Sequence, residues 1–228
     1  MNLSPPDIEA IVLSMKIAVS ATLISLPIGF AVAGLLVFGK IRGKVLLEVL
    51  VNLPLTLPPV VIGYFLLLLL GKHGWAGAAL KAAGIEIIFT WKAAVIASAT
   101  VGFPLLVRSI RLGMESIDRQ LLQASRSLGA PWYDTLATIV LPLSFRGMLA
   151  GSSLMFARSL GEFGATIIVA GNIPGVTQTI PLAIYEYASS PTGTQMALSL
   201  CLVSVILSIA ILFVHEGIGK KLEHGRGS

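Results

Sequence analysis

Between Ile8 and Phe38 the chain carries two charged side chains, Glu9 and Lys16, and apolar runs of the same kind return at about residues 46–70, 91–107, 136–156 and 196–214. A run of about 20 such residues matches the hydrocarbon core of a bilayer when it is helical. In lipid each backbone N–H and C=O must also be satisfied inside the protein, which a helix does within itself. These five runs therefore dictate an all-α, polytopic integral membrane protein, with residues 1–228 forming a single transmembrane domain. Composition agrees: 12% of residues are charged, against about 25% in soluble domains, and the mean hydropathy is +0.90.

The leader MNLSPPDIEA has no Lys or Arg and holds Asp7 and Glu9, so it lacks the basic n-region of a signal peptide and reads as the start of a retained span. Pro27 is expected to kink the first span, and Lys16 to snorkel along it. Pro54, Pro58 and Pro59 fall in the second. They free backbone carbonyls that only protein or water can satisfy, which points to a protein-facing or pore-facing half.

Basic residues set the orientation. Lys40, Arg42 and Lys44 cluster after the first span, Arg108, Arg111, Arg119 and Arg126 lie in the 108–135 segment, and Lys220, Lys221 and Arg226 in the tail. The N-terminal leader and the 159–194 segment have none, and the 71–90 loop has Lys72 and Lys81. The N-terminus is expected outside and the C-terminus in the cytoplasm. The net charge of +5 is that of cytoplasmic loops and calls for no nucleic-acid partner. Residues 159–194 are broken by Gly164, Gly171, Pro174, Gly175 and Pro181. They read as short half-helices on the outer side, with two additional spans as the alternative.

One polar stretch interrupts this pattern: QASRSLGAPWYDTLATIVLP, residues 123–142. Within a segment of about 116–135, Ser116 is a suitable N-cap, and Ile117, Leu121, Ala124 and Leu128 recur on one helical face. Gly129 stands where a C′ glycine belongs, and Pro131 suits the first turn of a second helix. A short amphipathic helix on the cytoplasmic side can lie on lipid, pack on its own protein, or enter a partner's groove.

The spacing here resembles the EAA loop of bacterial ABC-importer permeases: Gln123-Ala124-Ser125, three residues, Gly129, nine residues, then Ile139, Val140, Leu141-Pro142. Gln123 stands where the family has its acid, and Ser125 where it has its second alanine. The stretch FARSLGEFGAT, residues 156–166, is similar to the molybdate, tungstate and sulfate group of these permeases. Within that group a short chain without an added leading span most resembles the molybdate permease subunits.

The resemblance implies a type I importer permease. Gln123, Ala124, Ser125, Leu128, Gly129, Ile139, Leu141 and Pro142 would couple it to an ATPase. It implies a homodimer with two ABC ATPase subunits, which carry the ATP and Mg, and a periplasmic oxyanion-binding protein. It also implies the bacterial cytoplasmic (inner) membrane, with the lipid bilayer around the chain. A sulfate, thiosulfate or tungstate permease is the nearest alternative, and a secondary transporter the alternative outside the class.

Arg158 and Glu162 are four apart and can pair on one helical face, flanked by Gly161 and Gly164. These four are pathway or gate candidates, since ionisable residues at membrane depth are functional suspects. A plain ion pair and plain helix packing explain them equally. Asn172, Thr177, Gln178 and Thr179 suit either an outer vestibule or an ordinary loop. No catalytic, cofactor-binding or metal site is expected: there is no P-loop or H-E-x-x-H motif, and His73, His215 and His224 lack ligand spacing. Cys201, alone, can form no intrachain disulfide.

Overall fold

The structure, a computed structural model, describes residues 3–40, 42–72 and 74–224, with the side chains of 214–216 and 218–224 outside that description. The basic tail (Lys220, Lys221, Arg226) and all three histidine side chains thus lie outside the described residues. The described regular elements are all helical: α1 (Pro5–Phe38), α2 (Lys44–Thr56), α3 (Pro59–Leu70), α4 (Trp75–Ala82), α5 (Trp91–Glu115), α6 (Arg119–Ser127), α7 (Trp132–Thr135), a π turn (Leu136–Val140), α8 (Leu141–Leu160), α9 (Gly164–Val169), α10 (Ile180–Ala188) and α11 (Thr194–His224).

Among the described residues four helices are long and apolar enough to cross a membrane: Pro5–Phe38, Trp91–Glu115, Trp132–Leu160 and Thr194–Phe213; α2 with α3 makes five if that bent pair is one span. The chain is an all-α, multi-span membrane protein.

The 34-residue α1 begins where Ser4 donates both its N–H and its hydroxyl to the Asp7 carboxylate, at 2.8 and 2.7 Å. The Asp7 carboxylate thereby satisfies the Ser4 N–H at the helix start. Pro27 lies inside this continuous helix. Lys16 sits with its ammonium 3.9 Å from the centre of the Trp91 ring, a cation–π contact in place of free snorkelling.

The run 46–70 is not one straight helix. It folds as α2 and α3, bent by 115°. Leu57 and Pro58 are extended, with ψ of 142° and 135°. The tandem Pro58-Pro59 explains this: neither nitrogen can donate, and a residue before proline avoids helical ψ. Beyond the apolar run 91–107 the helix α5 continues to Glu115 and takes in Arg108 and Arg111. There Arg111 binds Glu48 of α2 at 2.8 Å and Glu115 at 2.7 Å, tying the two helices together.

The centre of the bundle is the α5–α8 pair, the most extensive helix contact in the chain. Small residues make it possible. A Cβ on Gly147 would stand 2.7 Å from the Ser109 carbonyl oxygen and 3.0 Å from the Gly113 Cα, and one on Gly151 would stand 2.9 Å from the Leu106 carbonyl oxygen. Close backbone approach through glycine is the usual basis of helix association in lipid, where apolar side chains gain nothing by leaving the solvent. Around this pair Ile17, Leu106, Ile110, Met114 and Met155 are fully enclosed.

Residues 159–194 hold the two short helices α9 and α10. The first packs on α3, where a Cβ on Gly63 would meet the Ala165 carbonyl oxygen at 2.8 Å. The second is held to α1: the Ile180 N–H donates to Ser14 Oγ at 2.8 Å, and the Tyr187 hydroxyl to Asp7 Oδ1 at 2.9 Å.

Gly147→Val should push α5 and α8 apart and cost about 1–3 kcal/mol, the usual range for overpacking. Thermal unfolding of the detergent-purified chain would read it. Gly34→Ala is the control, since its Cβ would meet only Met114 Cε, at 3.9 Å.

Candidate functional site

The candidate coupling segment is built from its caps outward. Ser116 does not cap it, in contrast to the sequence reading. It closes α5, its hydroxyl donating to the Gly113 carbonyl at 2.8 Å. The N-cap of α6 is Asp118, whose carboxylate accepts the Gln120 N–H at 2.8 Å. Ile117, expected on the apolar stripe of this helix, is buried in the bundle core instead.

The C-terminal end of α6 is a complete Schellman motif. The Gly129 N–H bonds to the Arg126 carbonyl at 3.0 Å, and the Ala130 N–H to the Ser125 carbonyl at 3.1 Å. Gly129 has φ +79° and no atom within 4 Å of a notional Cβ. Its need for glycine is therefore conformational and not a close contact within this chain.

The structure separates the candidate coupling residues into two groups. Gln123, Ala124, Leu128 and Gly129 are exposed. Leu128 is 87% exposed and Leu121 47%, so the apolar stripe of α6 faces away from the bundle. Ser125 turns inward. It is buried, and its hydroxyl lies 2.7 Å from that of Thr135, which is also buried. Thr135 points its own proton toward the Pro131 carbonyl, at 3.4 Å. Ser125 therefore ties α6 to α7 and is no part of an outward surface.

The second half of the motif lies in the helix that rises from α7. The chain is helical without a break from Trp132 to Leu160, so a helix that starts next to Pro131 runs directly into the apolar stretch at 136–156. The π turn sits just ahead of Pro142. The Leu141 N–H reaches back to the Leu136 carbonyl, and Pro142 has no N–H to offer the Thr138 carbonyl four residues back. A proline that clashes with the i−4 carbonyl is accommodated by widening the preceding turn. Ile139 packs against the core, while Leu141 and Pro142 are exposed.

At the other end of α8 the pathway candidates form one turn. Arg158 Nη1 lies 2.8 Å from Glu162 Oε2, and Glu162 Oε1 accepts the Ala165 N–H at 2.8 Å. The helix ends at Leu160, so the pair is not intrahelical, as its spacing suggested. Glu162, only 2% exposed, joins the last turn of α8 to the first turn of α9. Gly164 packs on α3, where a Cβ would lie 3.0 Å from Pro59 Cβ; Gly161 meets only the Arg158 carbonyl oxygen, at 4.0 Å.

Thr177, Gln178 and Thr179 are buried within the 171–179 loop. Gln178 and Asn172 both donate to Glu186, at 2.6 and 2.8 Å, contacts that no local spacing announces. Among the described residues no His, Cys, Asp or Glu group could hold a metal ion.

The chain is thus a helical membrane bundle with an exposed amphipathic helix between its two most closely packed spans. The family model for binding-protein-dependent transport system inner membrane components matches residues 25–224. The chain belongs to that family, within the molybdate, tungstate and sulfate group of ABC permeases. It is 48% identical over 222 residues to the molybdenum transport system permease protein of Haemophilus influenzae, covering 97% of each chain. It is 46% identical over 221 residues to that of Escherichia coli K12, covering 96% of each.

The fold is also that of the MetNI methionine ABC transporter (TM-score 0.75, 16% identity, 96% of this chain and 99% of that one). It is likewise that of an alginate ABC transporter bound to its periplasmic protein (TM-score 0.75, 14% identity, 96% and 80%). The chain is thus a transport subunit and not an enzyme, and ATP hydrolysis belongs to separate subunits. Family membership removes the secondary-transporter alternative.

Glu162→Gln keeps an acceptor for the Ala165 N–H and loses the charge, whereas Glu162→Ala loses both. Stability should fall in the order wild type, Gln, Ala, with Ala lower by about 2 kcal/mol. Thermal melts of the three proteins that coincide would contradict this role.

Proposed function

We propose that this chain is the permease subunit of a molybdate importer, with a sulfate, thiosulfate or tungstate importer as the alternative reading. It works as a homodimer with the pathway on the two-fold axis, the usual closed symmetry. Two ABC ATPase subunits, holding ATP and Mg, dock beneath, and a periplasmic oxyanion-binding protein delivers from outside. The N-terminus lies outside and the C-terminus in the cytoplasm of a bacterial inner membrane. The molybdenum permeases, similar over almost the whole chain, support the substrate.

The observation that carries the coupling role is the α6 stripe, with Leu121, Ala124 and Leu128 turned away from the chain's own core. A partner's groove accounts for such a face, in the manner of helix-in-groove recognition. Gln123 and Gly129 border the contact, and Ile139, Leu141 and Pro142 carry movement into α8. Closure of the ATPase subunits displaces α6. The Schellman turn and the Ser125–Thr135 bond pass that displacement to α7. The glycine-packed α5–α8 pair then tilts as one body and alters the turn formed by Arg158, Gly161, Glu162 and Gly164. The two nucleotide states differ in how they hold α6, which is what allows a ligand to shift the equilibrium. The pathway holds its anion weakly, because entry must not prevent exit.

Leu128→Asp tests docking cleanly, since the side chain touches little of its own protein. Insertion and folding should be unchanged, while the amount of ATPase subunit that co-purifies should fall roughly tenfold or more, as at other interface hot spots. Undiminished co-purification would remove α6 from the interface. Uptake of labelled molybdate, competed separately with tungstate and sulfate, decides the substrate.

A further inference from the structure

A second surface, unrelated to α6, lies at the other end of α3. The α3 sequence PVVIGYFLLLLL has no polar side chain except Tyr64, and the first charge after it is Lys72. The chain does not leave the bundle there. It folds straight back, and Gly77 lies so close that a Cβ there would run into the Leu70 carbonyl oxygen. Backbone contact thus fixes α4 at the level where the apolar helix ends, which is the depth of a membrane–water interface.

Between α3, α4 and residues 85–90 is a cleft of about 480 Å³. Its floor is apolar, with Leu67, Leu70, Leu80 and Ile87. Its rim holds Lys72 and Lys81, both exposed and with no ion pair among the described residues, together with the single carboxylate of Glu86. Trp75, on α4, is 80% exposed. An indole with no protein cover beside basic side chains is the usual composition of a membrane interface, and an apolar floor under a cationic rim matches the two parts of a phospholipid.

We infer that this cleft binds an anionic phospholipid, with an acyl chain against Leu67, Leu70 and Leu80 and the headgroup phosphate between Lys72 and Lys81. Trp75 lies beside it at headgroup depth. Glu86 leaves the rim with one net positive charge, which selects a headgroup of net negative charge over a zwitterionic one. The site does not depend on which substrate the permease carries, nor on the docking of α6.

The test uses the complex of this chain with its ATPase subunits, delipidated in detergent and then offered phosphatidylglycerol or phosphatidylcholine. Native mass spectrometry counts the lipid retained. Wild type should retain phosphatidylglycerol in clear preference. Lys72→Gln with Lys81→Gln should lower that retention by roughly tenfold, as expected when two basic contacts to an anionic headgroup are lost, while phosphatidylcholine is unaffected. Leu80→Glu, which places a charge on the floor, should lower retention of the anionic lipid independently of the lysines. Equal retention of both lipids by wild type, or unchanged retention in the lysine variant, would overturn the site. So would a lysine variant with normal lipid retention and weakened binding of the delivering protein, which would make the cleft a protein-docking surface.

Discussion

The contact on which the rest of this structure depends is the backbone approach of α5 and α8 at Gly113 and Gly147. In lipid, helices gain no free energy from hiding apolar side chains, so close dispersion contact has to hold them. Without Cβ atoms at Gly113, Gly147 and Gly151 the two helices pack almost surface to surface, and α1 lies against both. The looser elements are arranged around this pair. The α11 helix, by contrast, exposes most of its apolar side chains, including Leu198, Leu202 and Leu212.

The position of the pair in the chain matters as much as its tightness. Residues 116–131 leave the end of α5 and return to α7, so the amphipathic helix is a short bridge between the two partners of the closest contact. A force applied to such a bridge reaches both helices at once, and the Schellman turn with its buried hydroxyl pair leaves little slack. At the opposite end of α8, Glu162 bonds forward into α9, which packs on α3. The broken α2–α3 pair and the outer turn are therefore in contact with the same rod that the bridge would move.

Much of this was legible in the sequence because the signals were chemical and local. Long apolar runs and the C′ glycine at 129 each rest on one physical requirement read over a few residues, while the spacing from Ala124 to Pro142 was legible as a resemblance to a family motif. What escaped was non-local or depended on competition between neighbours. Asp118 and Ser116 are both good caps, and only the end of α5 decides which one starts α6. Ser125 sits between exposed neighbours, and nothing in its spacing announces Thr135 as its partner. The tandem prolines were visible, but the size of the bend they produce depends on what α3 packs against. The pairing of Arg158 with Glu162 was legible from their separation, although helical geometry was the wrong reason for it.

The π turn before Pro142 has a consequence of phase. An α-helix advances about 100° per residue, so one added residue within a turn rotates everything on one side of it by about that angle relative to the other. The face of α7 that holds Thr135 and the face of α8 that holds Gly147 are related through this offset and not by simple α-helical counting. The helix from Trp132 to Leu160 is thus two rods set at a fixed azimuth, and the proline acts as the key that holds one against rotation on the other.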